Sequence, residues 1–414
     1  MITFNPFRAI RPRQDHAQDV ASRPYDVLDS KEAKDEAEGI PNSFLRVIKP
    51  EIDLPDNVSP YSDEVYQQGK KTFLDMQDKG VMIKESSPSF YVYRLTMDGR
   101  SQTGLVGCCH FEEYFEGKIK KHELTRTAKE NDRVKHVETL EANAEPVFFS
   151  YRGQQQIDSI VERITQGERT YDFIAEDGIR HELWTCSDTQ TNVDISSAFQ
   201  SVDALYVADG HHRTAAAARV GQNLKEKNPA HTGDEEYNFF MAVLFPDDQL
   251  KIFDYNRVVK DLNGLTSDAF LELLANDFDL QKDEFSAIKP SSMREFAMYL
   301  SGQWYRLSPK ESIRSQNPVQ DLDVTLLSDK ILQPILDIGD LRKSERIDFV
   351  GGIRGLNELS RRVDSGDMAV AFALYPVSMD QLLAIADAGE IMPPKTTWFE
   401  PKLRSGLFVH SIKR

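Results

Sequence analysis

Residues Ala208–Arg219, ADGHHRTAAAAR, put a carboxylate (Asp209), a glycine (Gly210), two imidazoles (His211, His212), a guanidinium (Arg213) and a hydroxyl (Thr214) side by side. An apolar run precedes them and helix formers follow, so the pattern predicts a strand that turns at Asp209-Gly210 into a helix. The first backbone N–H groups of such a helix have no intrahelical partners, and its aligned peptide dipoles make that end electropositive. An anion is the natural occupant: Gly210 lets a phosphate approach the backbone, and Arg213 reaches back with charge-assisted hydrogen bonds. The competing reading makes Asp209 a plain N-cap and the histidines packing groups of an ordinary turn. Successive helical residues point about 100° apart, so His211 and His212 are poorly placed to share one metal ion.

Three further stretches carry candidate chemistry. KHELTRTAKENDRVKHVETLEANAEPVF, residues 121–148, gathers His122, Glu123, Thr125, Arg126, Asp132, Arg133 and His136. Glu123 would serve as a general base if partly desolvated beside cations; the alternative is a charged, exposed loop and helix. MPPKTTWFEPKLRSGL near the C-terminus concentrates Lys395, Thr396, Thr397, Lys402 and Arg404. It reads either as a basic tail or, given its prolines and Trp398, as an ordered segment lying across a surface or cleft. SRPYDVLDSKEA places Arg23, Tyr25 and Asp26 ahead of a helix that starts near Ser30, with the Ser30 hydroxyl as N-cap; a structural turn is the favoured reading there. GxxxxGK[ST], GxGxxG, GxSxG and the HRD/DFG kinase set are absent, which disfavours the ordinary nucleotide folds.

The elements that must position these groups are mixed. SFYVYRLTMDGRSQTGLVGCCHF and TYDFIAEDGIRHELWTC alternate strand formers around Asp-Gly, the mark of hairpins. Helical spacing runs through residues 62–80 and QIDSIVERITQ, AEPVFFSYRG and YNFFMAVLF read as strands, and GQNLKEKNPAHTGDEE reads as a solvated loop. The chain of 414 residues exceeds what one core serves. The expected division is an α+β region over 1–260, a second α+β region over 261–390 that alternates helices with short strands, and a basic tail over 391–414 that packs back on the core.

Composition narrows the partners. A formal charge of −17, from 67 acidic against 50 basic residues, repels a phosphate backbone, so no nucleic-acid partner is expected. Three cysteines, Cys108, Cys109 and Cys186, form no CxxC pair and fit buried thiols of a reduced, cytoplasmic protein. No run approaches the roughly 20 apolar residues of a membrane span.

PYDV, KHELT…DR, ADGHHRTAAA and MPPKTTWFEPKLRSGL occur in the order of the bacterial family called domain of unknown function 1015, which the chain resembles over nearly its whole length. The DGHHR box also resembles the nucleotide-binding box of the ParB and sulfiredoxin superfamily, whose members include kinases of free L-serine. The resemblance implies an α+β, ParB/sulfiredoxin-like nucleotide-binding core with mixed sheets. Gly210, His211, His212, Arg213 and Thr214 would hold phosphates, Asp209 would orient substrate or magnesium, and Glu123, of the upstream His122-Glu123 pair, would take the proton from the serine hydroxyl. His122, Thr125, Arg133, Lys395, Thr396 and Lys402 would be further substrate or phosphate contacts. The implied activity transfers the γ-phosphate of ATP, with ADP as the alternative donor, to free L-serine with Mg2+, giving O-phospho-L-serine. A nucleotide-binding regulatory protein and a nucleotide hydrolase are the alternatives. Departures also matter: His211 stands where sulfiredoxin chemistry requires a cysteine, no helix-turn-helix of the DNA-partitioning proteins is evident, and Asn256 precedes Arg257 where family members show histidine.

Overall fold

Two Asp-Gly turns set the pairing of the central strands. Asp98 and Gly99 both adopt positive φ, 51° and 77°, and join Phe90–Met97 to Arg100–His110 as an antiparallel hairpin. Tyr171–Ile174 and Arg180–Cys186 form a second antiparallel hairpin through a longer turn, residues 175–179, in which Gly178 has φ 80°. The computed structural model describes residues 1–283, 289–315, 317–341 and 343–413. The chain divides into two units.

The first unit comprises Met1–Lys121, Thr125–Leu250 and Pro401–Arg414. Its main sheet runs, in spatial order, Ile119–Lys120, Leu205–Asp209, Val147–Tyr151, Phe239–Pro246, Arg100–His110, Phe90–Met97, Arg180–Cys186 and Tyr171–Ile174, with Phe4–Asn5 also paired to Arg100–His110. Leu205–Asp209 is parallel to Ile119–Lys120 and Phe239–Pro246 is parallel to Val147–Tyr151, while the other pairs are antiparallel, so the sheet is mixed, as expected. The helices Gln155–Thr165, Thr189–Phe199 and His211–Glu226 contribute Ile157, Ile160, Ile195, Phe199, Ala217 and Ala218 to the core, against strand residues such as Phe149, Val207 and Leu244. Small residues let the last helix lie close: Ala215–Ala218 are buried, and a Cβ on Gly221 would fall 2.7 Å from the Phe111 ring.

Two local expectations are corrected. The helix Ser30–Ala37 is capped by Asp29, not by Ser30: the Asp29 carboxylate accepts from the Glu32 N–H at 2.7 Å, and Glu32 accepts in return from the Asp29 N–H. The Asp29/Glu32 spacing completes a capping box, which a serine one residue later cannot do. The loop expected after Gly221 begins later, because the helix continues through Gln222–Glu226, all tolerable helix residues, with Leu224 packed against the cluster of Val134 and Tyr237.

The second unit comprises His122–Leu124 and Lys251–Glu400. It is an antiparallel six-stranded sheet in the order Phe278–Asp283, Gln303–Pro309, Phe296–Leu300, Val370–Ala373, Tyr255–Val259 and Ile347–Gly351. The helix Leu356–Asp364 covers one face through Leu359 against Val258, Val350 and Ala371. Among the described residues no helix is long and apolar enough to cross a membrane.

Candidate phosphate cradle

The strand Leu205–Asp209 ends in a register shift against Val147–Tyr151, and Gly210 follows with φ 89° and ψ 35°. That left-handed residue swings the chain directly into the helix His211–Glu226. Thr214 fastens the turn: its N–H (2.9 Å) and its buried hydroxyl (3.0 Å) both donate to the Gly210 carbonyl. The Thr214 side chain therefore holds the turn together from behind.

Arg213 folds back over the same turn, so that a Cβ on Gly210 would stand 3.1 Å from its Nε. The guanidinium is buried, donating to the Pro146 carbonyl at 2.8 Å and to Asp209 Oδ2 at 3.1 Å, with Asp26 Oδ2 at 3.7 Å; its Nε has no hydrogen-bond partner. Burial opposes its charge, but Asp26, Asp209 and Glu145 outweigh burial and hold it firmly protonated. Asp209 also receives Lys402 Nζ on Oδ1 at 3.2 Å. Burial would raise the Asp209 pKa, yet Lys402 and Arg213 prevail and hold it well below the usual carboxylate range.

His212 receives the Arg126 N–H on Nε2 at 2.9 Å, which assigns the ring proton to Nδ1. Desolvation, with Lys129 and Arg126 nearby, lowers its pKa to about 4, so the ring is neutral at pH 7. The ends of the segment that includes Arg126 are tied down as well: Thr125 donates to Glu130 at 2.7 Å, and Arg219 holds the other Glu130 oxygen at 2.6 Å.

Behind Arg213 lies a second layer that sequence reasoning did not assemble. Arg133 stacks on the Tyr25 ring at 3.9 Å and pairs with Asp132 (2.8 Å) and Glu145 (3.4 Å). Glu145 further accepts the Tyr25 N–H at 3.1 Å and the Ser405 hydroxyl at 3.2 Å. PYDV, the Asp132-Arg133 pair, the box and the C-terminal SGL thus converge in the first unit. One signal in the sequence points to Glu145: a lone carboxylate opening the otherwise apolar AEPVFF. The cavity lined by Arg133, Asn143, Glu145 and Arg213 is about 20 Å³, room for a water and not for a ligand. The open side of the turn is the one where Asp209 and Asp26 keep 26% and 28% of their side-chain surface exposed.

The other singled-out residues are placed as follows. His136 is buried and bonded to the Val47 carbonyl at 3.0 Å; desolvation and then Arg133 lower its pKa to about 4. Arg404 pairs with Asp177 and lies 3.5 Å from His181, whose pKa burial and Arg404 lower to about 3. In the second unit, His122 Nε2 meets the Thr397 hydroxyl at 3.3 Å, Thr396 donates to the Pro393 carbonyl at 2.6 Å, and Lys395, with φ 61°, lies over the Tyr255 ring while its carbonyl accepts from Arg257. Glu123 also belongs to this unit and is half-buried. Asn256 bonds Asp254 and the Leu374 N–H and is fully buried.

His136, His181 and His212, held neutral by burial, predict an acid limb of stability. Each is neutral in the fold but protonates near pH 6.5 when unfolded, so its contribution is complete above that pH and is lost as pH falls toward about 4, or about 3 for His181. For His136 the loss amounts to roughly 3 kcal/mol. Urea unfolding between pH 7 and 4 checks this, with a shallower slope expected for His136→Gln.

A family model described as protein of unknown function (DUF1015) matches residues 4–325. No curated protein matches the chain. Among solved structures, a conserved hypothetical protein from Pyrococcus furiosus matches at 14% identity and TM-score 0.37, covering 73% of this chain and 93% of that one. A free serine kinase in complex with AMP matches at 13% and 0.38, covering 72% and 91%. SbnI with a C-terminal truncation, from Staphylococcus aureus, matches at 10% and 0.39, covering 72% and 85%. At these scores the likeness assigns no residue.

Proposed function

Because the chain belongs to the DUF1015 family and carries its DGHHR box as a folded cradle, we propose that it is a kinase transferring the γ-phosphate of ATP to the hydroxyl of free L-serine, giving O-phospho-L-serine. The observation that carries the reading is the buried Arg213 guanidinium laid across the Gly210 turn with its Nε unpartnered. A phosphate at the start of the helix His211–Glu226 would meet backbone N–H groups, the positive dipole end and that guanidinium together. The serine acceptor comes from the resemblance of the box to free L-serine kinases, which also makes the first unit a ParB/sulfiredoxin-like core.

Phosphoryl transfer asks mainly for positioning and charge neutralisation. Arg213 and Lys402 supply fixed cations, and His212, neutral at pH 7, anchors the 126 segment beside them. Magnesium would arrive on the nucleotide and keep much of its water. Asp209 is the residue that would hold it, and when bound it would neutralise charge developing on the transferred phosphate. Lys395, Thr396 and His122 stay proposed substrate contacts of the second unit.

Lys402 gives a direct check. Lys402→Met leaves Asp209 facing incoming phosphates without its neutralising ammonium, so the Kd for ATP should rise about tenfold, equivalent to about 1.4 kcal/mol, in calorimetric titration. Mass identification of the product formed from ATP, magnesium and L-serine tests the transfer itself.

A further inference from the structure

We infer that Asp26 is the general base of the cradle, the group that takes the proton from the acceptor hydroxyl as phosphate is transferred. The inference rests on the phosphotransfer reading and replaces the role that the sequence resemblance gives to Glu123.

Three carboxylates act on Arg213: Asp26, Asp209 and Glu145. Two of them are committed. Asp209 has Lys402 on one oxygen and Arg213 on the other. Glu145 is buried and takes the Tyr25 N–H and the Ser405 hydroxyl on one oxygen and Arg133 on the other. Asp26 differs from both: it stands 3.7 Å from Arg213, accepts no hydrogen bond among the described residues, and exposes 28% of its side chain. A general base needs such lone pairs, open toward solvent and within reach of the transferring group.

Its placement is nevertheless firm. Asp26 lies in the short helical turn Tyr25–Val27, set by Pro24, whose φ of −65° leads into the turn. The neighbouring Tyr25 is clamped twice, its ring under the Arg133 guanidinium and its N–H on Glu145. Asp26 is also near enough to His212 for their charges to interact, which sets it beside the first residues of the box helix. A carboxylate fixed at the phosphate end of the cradle, ion-paired with Arg213 through one oxygen at 3.7 Å yet accepting no hydrogen bond among the described residues, is preorganised for proton transfer.

The step balances as follows. The acceptor O–H bond breaks, its proton passes to a carboxylate oxygen of Asp26, and the acceptor oxygen forms a bond to the γ-phosphorus. The bond from that phosphorus to the bridging oxygen of ATP breaks and ADP leaves with the electron pair. Asp26 then returns its proton to solvent.

The test compares the full-length protein with Asp26→Asn, Asp26→Glu and Glu123→Gln, reading kcat for phosphoserine formation, KM for serine, the ATP Kd and the pH profile. Asp26→Asn should lower kcat between about a hundredfold and ten-thousandfold, leave ATP binding in place, and remove the acidic limb of kcat. Asp26→Glu keeps a carboxylate and should recover part of kcat together with the acidic limb, and it carries the test if the asparagine variant fails to fold. Full turnover in Asp26→Asn, an acidic limb surviving in Asp26→Asn, or a folded Asp26→Glu that recovers neither turnover nor the limb, overturns the assignment while leaving phosphotransfer standing. A wild-type protein that binds ATP and phosphorylates no acceptor overturns the kinase reading and the base with it.

Discussion

Replacing Arg213 with methionine should weaken the proposed nucleotide binding and lower the first unit's stability at once. The guanidinium is held by Asp26, Asp209 and Glu145 against a burial that opposes its charge, and Glu145 is itself buried. Methionine has similar length and no charge, so these carboxylates would be left short of a counter-ion, a change that costs about 3–5 kcal/mol when a buried pair is broken. It also deletes the cation facing incoming phosphate, so ATP affinity should fall at least about a hundredfold, close to 3 kcal/mol. Arg213→Lys separates the two effects. It keeps the charge but loses the planar fork that spans Pro146 and Asp209, so stability should recover more than nucleotide affinity. Urea unfolding and calorimetric titration of ATP on the three proteins measure both.

Gly210→Val should rank second in effect. With φ at 89°, a β-branched residue is strained by roughly 1–3 kcal/mol, and its Cβ would meet the Arg213 guanidinium at the 3.1 Å approach already noted. Arg213 cannot retreat without giving up the Pro146 carbonyl. The variant should therefore lose more in ATP binding than in stability, because the same displacement removes the guanidinium from the phosphate side. Gly210→Ala carries the backbone strain with a smaller side chain and should fall between the two, as read by thermal melting and ATP titration.

How much of this was legible in the sequence depended on how local each feature is. Asp98-Gly99 announces its hairpin because positive φ at a two-residue turn is written in the residues themselves, and Gly178 marks the second, longer turn by its own positive φ. The strand, turn and helix around Gly210 follow from an apolar run meeting a glycine and a block of alanines. Ser30 misleads because an aspartate one place earlier completes a better cap. His136 reads as part of a functional cluster, yet helical geometry turns it into the core toward the Val47 carbonyl, a partner far away in sequence. The most consequential omission is the layer behind Arg213. Tyr25 meets Glu145 and Glu145 meets Ser405 across separations of 120 and 260 residues, and no local period encodes such closures. For the same reason Asp26, which looks like part of a structural turn in PYDV, appears beside the cradle only when the chain is folded.

The most direct test of the central claim is ADP release from ATP and magnesium by the purified protein across a panel of free amino and hydroxy acids, with products identified by mass. The account predicts release that rises with L-serine and the appearance of O-phospho-L-serine in equal amount. ADP release indifferent to every acceptor, or ATP binding with no release at all, would contradict it, the first pointing to a hydrolase and the second to a nucleotide-binding regulator.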